Sequence, residues 1–434
     1  MGKNLNINVH HLTRVEGHGN IVVRASDGKV EKCVLEIVES PRVFESMIQG
    51  LSWRDTAILT CRICGICSVG HTTASIQATD DAFGLELTPE TLALRKLMLM
   101  AEEIQSHILH VYFLAAPDAF SAPSVIPLAA THPDVVLRAL KLKKIGNVIC
   151  EVIAGRHVHP ISLVPGGFSF VPPRKGLLAI KDYLDACDED IDATVDIVAS
   201  IADKFPVFER PREDISLTHP QEYALYNGNL KSSKAGVIDY HDYGQFIKEV
   251  CVPHSTSKHV HNVEQSLAVG ALSRFNNNHT QLNERGKQAA AALGLKAPCY
   301  NPYYNNLAQT VEIAHCFDEA KKLVDQLLKM DLSEATLTPK VTVKAGRGVG
   351  LTEVPRGTLV HDYTYDDKGI CTKANCVIPT GMNLGNIDCD MQAYVPSVIN
   401  TRDQDEITHD LEMLVRAYDP CISCSVHLLK VKWI

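Results

Sequence analysis

Two short segments near opposite ends of the chain, Arg62-Ile63-Cys64-Gly65-Ile66-Cys67 and Asp419-Pro420-Cys421-Ile422-Ser423-Cys424, constrain the fold more than any other part of the sequence. Each segment contains a Cys-x-x-Cys pair, and most of the 434 residues lie between them. Only a tertiary fold that joins the two ends can place these thiolates at one point. Four thiolates at one point form a site for a soft metal.

The composition is that of an ordinary globular protein, with 45% hydrophobic and 21% charged residues. A net charge of -9 argues against general binding to nucleic acids or anionic membranes, because both need a basic face. No apolar run reaches the length of a membrane span, and residues 1–12 are unlike a signal peptide. Fourteen cysteines in such a chain indicate a reducing compartment.

Apolar periodicity predicts a mainly α fold with a small N-terminal antiparallel β portion, an α+β class. Ile21-Val22-Val23 and the stretch 30–37 flank Asp27-Gly28, a strong hairpin signal, and residues 6–10 add a third strand. Thr88-Pro89 begins a long helix that we expect at the centre of a bundle, because its apolar stripe continues to Ala115. Further helices are predicted at about 134–156, 176–203, 260–282, 310–330 and 403–416.

We expect a single domain over residues 1–434. Its parts are an N-terminal β portion at about 4–40, a helical body at about 41–335, a segment rich in loops and short strands at about 336–400, and a C-terminal metal-binding helix and motif at 401–427.

The cysteine spacing by itself leaves several kinds of site open. A structural zinc site with four cysteine ligands is one reading, because two-residue spacings are common among zinc ligands. A redox disulfide in each pair is another. A structural zinc site would not need the Arg62, Gly65, Asp419 and Pro420 that flank the cysteines.

The complete motifs extend to His71 after the first pair and to His427 after the second. Together with Arg14-Val15-Glu16-Gly17-His18, they resemble the large, catalytic subunit of nickel–iron hydrogenases over nearly the whole chain. The resemblance implies that fold and the reversible heterolytic cleavage of H2 to protons and electrons. It also implies that Cys64 and Cys421 are terminal nickel ligands, and that Cys67 and Cys424 bridge to an iron that carries carbonyl and cyanide ligands.

The same resemblance implies roles for residues around the metals. Glu16 would be a buried carboxyl that relays protons beside Cys421. Pro355 and Arg356 would lie over the open coordination position. Asp118 and Asp419 would hold Arg356 by charge-assisted hydrogen bonds.

Four further residues complete the implied site. His71 would donate a hydrogen bond to a bridging cysteine, and Thr380 would donate one to an iron cyanide. Glu45 and His427, with a backbone carbonyl near residue 383 or 384, would bind a second divalent cation, magnesium or iron.

The resemblance also predicts partners, because the chain has no sequential cysteine pattern for an iron–sulfur cluster. We expect an iron–sulfur small subunit, further electron-transfer subunits that pass electrons to a soluble acceptor, metallochaperones, and a maturation protease that removes residues 428–434. The motifs are most similar to the cytoplasmic, multi-subunit group, which includes the F420-non-reducing and sulfhydrogenase types.

A non-catalytic hydrogen sensor of the same fold and a structural zinc protein remain alternatives. The related quinone-site subunit of respiratory complex I lacks the cysteines.

Overall fold

The N-terminal sheet has the predicted hairpin. A computed structural model describes residues 3–262 and 266–427 of the chain. Residues 5–9, 19–26 and 29–37 form three antiparallel strands in sequence order. Asp27 and Gly28 connect the second and third strands with positive φ angles of 49° and 76°. Positive φ suits Asp and Gly in a tight hairpin turn, so this part of the fold is local in origin.

Most of the remaining chain is helical. The α-helices of the described residues are Phe44–Ile48 (α1), Trp53–Thr60 (α2), Ser68–Phe83 (α3), Pro89–Ile108 (α4), Ala116–Ala119 (α5), Val125–Thr131 (α6), Pro133–Ala154 (α7), Arg174–Asp185 (α8), Asp188–Ile201 (α9), Ala271–Asn278 (α10), Glu284–Ala292 (α11), Asn305–Leu327 (α12), Glu334–Leu337 (α13), Pro379–Val398 (α14), Gln404–Ala417 (α15) and Ile422–Ser425 (α16).

The strands form small sheets that are mostly antiparallel. They are Leu5–Val9 (β1), Gly19–Ser26 (β2), Lys29–Ile37 (β3), Leu163–Val164 (β4), Gly167–Phe168 (β5), Glu213–Thr218 (β6), Asn229–Ser232 (β7), Gly236–Ile238 (β8), Lys248–Val250 (β9), His259–His261 (β10), Leu267–Ala268 (β11), Gly346–Val354 (β12), Gly357–Tyr365 (β13) and Cys371–Val377 (β14). The larger sheets have the orders β1-β2-β3, β12-β13-β14 and β11-β6-β7-β8, and β11 pairs with β6 in parallel.

Helix α4 lies at the centre of the molecule, as predicted. The Thr88 hydroxyl accepts a hydrogen bond from the amide of Thr91 at 3.1 Å, and Pro89 occupies the first turn. Every side chain from Leu97 to Ile108 is buried, and a π-helix, Leu109–Ala115, continues the same rod. Helices α7 and α12 pack against it. A helix that is buried on all sides belongs to the core of a bundle.

Helix α3 packs unusually closely on strand β12, and this contact positions the first cysteine pair. A Cβ atom at Gly348 would lie 2.1 Å from the Ala78 carbonyl oxygen, and one at Gly350 would lie 1.9 Å from that of Ala74. Only glycine fits at such an approach of two backbones. Because α3 begins immediately after Cys67, this packing brings that cysteine to the end of β12.

Three of the predicted secondary-structure segments are corrected. Residues 260–282 are not one helix: β10 and β11 come first, and only Ala271–Asn278 is helical, while residues 263–265 lie outside the described ranges. The 176–203 helix is interrupted at residues 186–187. The segment 336–400 contains long strands and the 20-residue helix α14 rather than loops and short strands.

Helix α14 was missed because its sequence has low intrinsic helix propensity. It contains Gly381, Gly385 and Pro396. A Cβ atom at Gly381 would lie 2.9 Å from the Lys258 carbonyl oxygen, so the small residue is needed for tertiary packing. Tertiary contacts therefore override local propensity here.

No helix within residues 3–262 and 266–427 is long and apolar enough to span a bilayer. The predicted cleavable tail, 428–434, lies outside those ranges.

A buried arginine joins four of these elements. The guanidinium of Arg274 on α10 donates to both carboxylate oxygens of Glu312 on α12, each at 2.6 Å. It also donates to Glu353 Oε2 on β12 at 2.9 Å and lies 3.4 Å from Glu103 Oε2 on α4. These four side chains are at most 1% exposed, so the charges depend on one another.

We expect Arg274→Met to lower the free energy of unfolding by about 3–5 kcal/mol, because Glu312 and Glu353 would stay buried without their cation. Denaturant unfolding of the purified protein measures this change. Arg347→Met is the control: it removes a half-exposed arginine paired with Asp362, and should cost less than about 1 kcal/mol. Equal effects of the two substitutions would contradict the interpretation.

Candidate metal centre

The structure brings the two cysteine pairs into one buried cluster. One sulfur from each of Cys64, Cys67, Cys421 and Cys424 lies within 4.8 Å of the other three. The Sγ atoms of Cys64 and Cys421 are 3.6 Å apart, those of Cys67 and Cys424 are 3.8 Å apart, and those of Cys421 and Cys424 are in contact. All four residues are buried. The donor set is therefore four sulfurs in a space of metal-site size.

Backbone hydrogen bonds between the two ends of the chain hold this cluster together. The amide of Glu16 donates to the Pro420 carbonyl at 3.3 Å, and the amide of Ile422 donates to the Glu16 carbonyl at 2.9 Å. Gly17 follows with φ 88°, and a Cβ atom there would lie 2.7 Å from the Ile422 Cβ. The glycine of the N-terminal motif thus permits the contact.

Arg42 links the two cysteine segments, and sequence reasoning missed it. Its Nη1 donates to the Ile63 carbonyl at 2.6 Å and to the Ser423 carbonyl at 3.2 Å, and its amide donates to the Val426 carbonyl at 2.7 Å. One side chain therefore braces the backbone beside both pairs. No local pattern distinguishes Arg42 from a surface arginine, so the sequence offered no signal for this role.

A tight hairpin turn places Arg356 at the cluster. Pro355 and Arg356 are the two residues between β12 and β13, and Gly357 follows with φ 128°. The buried guanidinium donates from Nε to the Asp419 carbonyl at 3.0 Å and from Nη2 to Asp419 Oδ1 at 2.9 Å. Its Nη1 has no hydrogen-bond partner among the described residues. This nitrogen is the kind of orphaned donor that a bound ligand would satisfy.

The Arg356 guanidinium is held in its charged form. Burial opposes its charge, but Asp419 and the sulfurs of Cys67 and Cys64 outweigh burial and raise the arginine pKa above its usual value. The guanidinium is therefore protonated throughout the working pH range. Its physical role in this geometry is to place a fixed positive charge and a free N–H beside the sulfurs.

The predicted contact between Asp118 and Arg356 is wrong. The Asp118 carboxylate accepts from Arg416 Nε at 2.9 Å and from Arg416 Nη2 at 3.0 Å, and it also pairs with Arg14. Arg416 lies in the last turn of α15, and its two hydrogen bonds occupy both oxygens of the Asp118 carboxylate. Asp118 fastens α5 to α15 and to the N-terminal segment, while Asp419 holds Arg356.

Glu16 lies beside Cys421, as predicted. Its Oε2 is 3.1 Å from Cys421 Sγ and accepts from the Ser423 amide at 3.1 Å, and the Ser423 hydroxyl donates to Oε1. The side chain is half-buried rather than buried, which corrects the expectation. A carboxylate that contacts a buried sulfur on one side and is partly exposed on the other joins the cluster to the protein surface.

The His71 ring contacts another histidine rather than a cysteine through its Nδ1. This nitrogen is 3.2 Å from His361 Nε2, and His361 Nδ1 is 2.6 Å from the Tyr363 hydroxyl. Burial lowers the pKa of His71 well below its usual value, with His361 adding to the effect. The ring is therefore neutral. No motif in the sequence pointed to His361, which comes from β13.

Thr380 lies at the second cysteine pair. In the first turn of α14, its hydroxyl oxygen accepts a hydrogen bond from the Cys421 amide at 2.9 Å. This contact fixes the backbone of Cys421 and leaves the hydroxyl proton available to donate elsewhere. Pro355 lies beside Arg356 in the hairpin turn.

Glu45, one of the residues predicted for a second cation site, already has protein partners. Glu45 Oε1 accepts from Lys258 Nζ at 3.2 Å and from the Cys376 amide at 3.1 Å. Both ring nitrogens of His427 are buried without a hydrogen-bond partner among the described residues. Burial, with smaller effects of Arg42 and Lys258, lowers the His427 pKa to about 3, so the imidazole is in the neutral form that binds metals.

The sulfurs differ in their readiness to ionise. A hydrogen bond from Cys67 lowers the pKa of the Cys64 thiol to about 7, with help from Arg356 and against burial. The same hydrogen bond, reinforced by burial, raises the pKa of Cys67 well above its usual value.

Glu102, which sequence reasoning also missed, accepts from the amides of Val69 at 2.7 Å and Gly70 at 2.9 Å at the start of α3.

We expect Thr380→Val to lower the free energy of unfolding by about 1–3 kcal/mol, because the buried amide of Cys421 would lose its acceptor. Thr380→Ser is the matched control, since it keeps the oxygen and should recover most of the loss. Denaturant unfolding compares the two variants. A serine variant no more stable than the valine variant would contradict the role of the hydroxyl.

Comparison with known proteins accords with this geometry. The family model described as nickel-dependent hydrogenase matches residues 42–127 and 242–427, and a model described as HoxL-like matches residues 6–40. The alpha subunit of sulfhydrogenase 2 from Pyrococcus furiosus is 31% identical over 98% of this chain and 100% of that protein. One of the subunits of the F420-non-reducing hydrogenase from Methanothermobacter marburgensis is 30% identical over 96% of this chain and 94% of that protein.

A solved structure agrees with these matches. The chain aligns with an NAD+-reducing NiFe-hydrogenase in the H2-reduced state at a TM-score of 0.86 and 26% identity, over 97% of this chain and 99% of that chain. The resemblance inferred from the cysteine motifs is thereby confirmed. The chain belongs to the nickel-dependent hydrogenase family, and it is a hydrogenase large subunit.

Proposed function

We propose that this large subunit holds a binuclear nickel–iron centre and cleaves H2 reversibly into protons and electrons. Cys64 and Cys421 would hold the nickel, and Cys67 and Cys424 would hold both the nickel and an iron that carries carbonyl and cyanide ligands. The observation that carries the proposal is the gathering of the four sulfurs within 4.8 Å of one another. Soft thiolates suit both metals.

The residues present fit such a centre. When bound, the metal pair supplies the Lewis acidity and the redox capacity that H2 cleavage needs. The protein supplies a buried, positively charged neighbour in Arg356, whose unpartnered Nη1 offers a hydrogen bond inside a site from which water is largely excluded. Asp419 holds this guanidinium at two points, which restricts its movement.

Proton transfer is assigned to Cys421 and Glu16. The 3.1 Å contact between Cys421 Sγ and Glu16 Oε2 allows direct proton transfer from sulfur to carboxylate. The Ser423 hydroxyl contacts the other carboxylate oxygen and keeps the side chain oriented. Because Glu16 is half-buried, it can then release the proton toward the surface.

Electrons need a second route, and we infer an iron–sulfur small subunit with further electron-transfer subunits. Relatives whose names describe them as single subunits of larger hydrogenases support such an assembly. Their names share no stated electron acceptor, so the acceptor of this chain stays open. Cytoplasmic location, metallochaperones, tail processing, and a magnesium or iron ion at Glu45 and His427 stay predictions.

Metal analysis and infrared spectroscopy of the purified complex test the centre. We expect about one nickel atom for each copy of this chain, and infrared bands from metal-bound carbonyl and cyanide. A structural zinc protein would contain zinc at the four cysteines and show no such bands. Zinc with sulfur ligands and no nickel would therefore disprove the proposal.

We expect Glu16→Gln to lower H2 oxidation and the exchange of D2 with water by about 100-fold or more, because glutamine cannot carry the proton. Metal content and the infrared bands should be unchanged. Glu36→Gln, a half-exposed glutamate paired with Lys32 on β3, is the control and should retain activity. Full exchange activity in the Glu16 variant would count against the relay.

We expect Arg356→Lys to lower H2 oxidation by about 10- to 100-fold, because a lysine keeps the charge but loses the two-point contact with Asp419. Arg347→Lys on the same sheet is the matched control and should change activity little. Nickel content measured in parallel separates a catalytic loss from failed assembly. Wild-type activity in the loaded Arg356 variant would exclude a positioning role.

A further inference from the structure

A second cluster of metal-binding side chains lies outside the four-cysteine centre. One nitrogen from each of His254 and His259 and one carboxylate oxygen of Asp388 lie within 4.8 Å of one another. His259 and Asp388 are buried, whereas the His254 side chain is 22% exposed. Two imidazoles and one carboxylate form a familiar ligand set for divalent first-row metals.

Each carboxylate oxygen of Asp388 contacts a protein partner. Oδ1 accepts from the Leu35 amide on β3 at 2.7 Å, and Oδ2 is 3.0 Å from His254 Nε2. A backbone donor that fixes one oxygen and leaves the other toward the histidines is the support that metal-binding carboxylates commonly have.

His259 supplies the observation that points to a ligand. It is 3% exposed, and its Nε2 has no hydrogen-bond partner among the described residues. Its ring stands edge-on to that of His254, with centroids 5.3 Å apart. A buried ring nitrogen without a partner is costly unless something satisfies it.

The charge state of the cluster agrees with metal binding. Burial, with His254 and His261 adding to it, lowers the pKa of His259 to about 4, so the imidazole is neutral and its lone pair is available. Burial raises the pKa of Asp388, against the opposite effect of His254. A bound cation would favour ionisation of that buried carboxyl.

We propose that His254, His259 and Asp388 form a binding site for a divalent first-row transition metal, with zinc as the expected ion. Three nitrogen and oxygen ligands leave one tetrahedral position for water on the partly exposed side of His254. Two imidazoles disfavour calcium and magnesium, which prefer oxygen. Tetrahedral zinc ligands lie about 3.4 Å apart, so small side-chain movements complete the site.

The position of the site explains what a metal would stabilise there. His254 belongs to the loop between β9 and β10. The backbone of this loop makes two hydrogen bonds of 3.1 Å to Ile37 on β3: the Ile37 amide donates to the His254 carbonyl, and the Thr256 amide donates to the Ile37 carbonyl. Asp388 belongs to α14. In the first turn of this helix, the Thr380 hydroxyl accepts a hydrogen bond from the Cys421 amide. The metal would therefore fasten the loop to the helix that supports the second cysteine pair.

Zinc K-edge X-ray absorption and elemental analysis of the intact complex, purified after growth with zinc, test the site. We expect about one zinc atom for each copy of this chain, in addition to any nickel and iron. Its ligands should be nitrogen and oxygen near about 2.0 Å, with no sulfur shell near about 2.3 Å. Absence of zinc, or zinc with sulfur ligands only, would overturn the proposal.

Two variants sharpen the test. His259→Gln and Asp388→Asn should each weaken zinc binding at least tenfold and abolish the fall in melting temperature that a chelator causes in the unmodified protein. Asp239→Asn is the matched control: it breaks the exposed pair between Asp239 and His241, and should retain the zinc. Variants that keep zinc, or a chelator without effect, would exclude the site.

The test is independent of the proposed hydrogenase chemistry. The infrared bands of carbonyl and cyanide report on the four-cysteine centre, whereas the X-ray absorption reports only on zinc. A complex with those bands but without zinc would overturn this inference and leave the nickel–iron proposal intact.

Discussion

The pairing of the backbone of Glu16 with that of Pro420 and Ile422 is the contact on which the centre depends. It joins the first motif of the chain to the last, and it aligns Cys421 with the Glu16 side chain. Closing a loop of this length costs about 5 kcal/mol of chain entropy. The closure is therefore stable only because the helices and sheets between the ends form a well-packed core.

Buried arginines fix the geometry around that closure. Arg274 ties α10 to α12 and β12, Arg416 ties α15 to Asp118, and Arg356 ties the β12–β13 turn to Asp419. Each is at most 3% exposed and has a carboxylate partner. Such pairs add little net stability but cost about 3–5 kcal/mol when one partner is removed, so they favour one arrangement over its alternatives.

This network explains why the sequence was a partial guide to the site. The motif residues Glu16, Thr380 and Asp419 lie at the cysteines because their neighbours in sequence are anchored there. Asp118 does not contact Arg356, because Arg416 and Arg14 occupy its carboxylate. Arg42, Glu102 and His361 contribute to the surroundings, yet nothing in their local sequence marks them, because their partners are distant in the chain.

The sequence by itself determined the elements whose causes are local: the Asp27-Gly28 hairpin, the capped helix α4, and the cysteine motifs that reveal the family. Tertiary structure alone decided that α14 is a helix, that residues 260–282 are divided, and which carboxylate meets which arginine. The physical reason is that helix caps and turns depend on neighbouring residues, whereas glycine-mediated packing and buried charge pairs depend on groups that only the folded chain brings together.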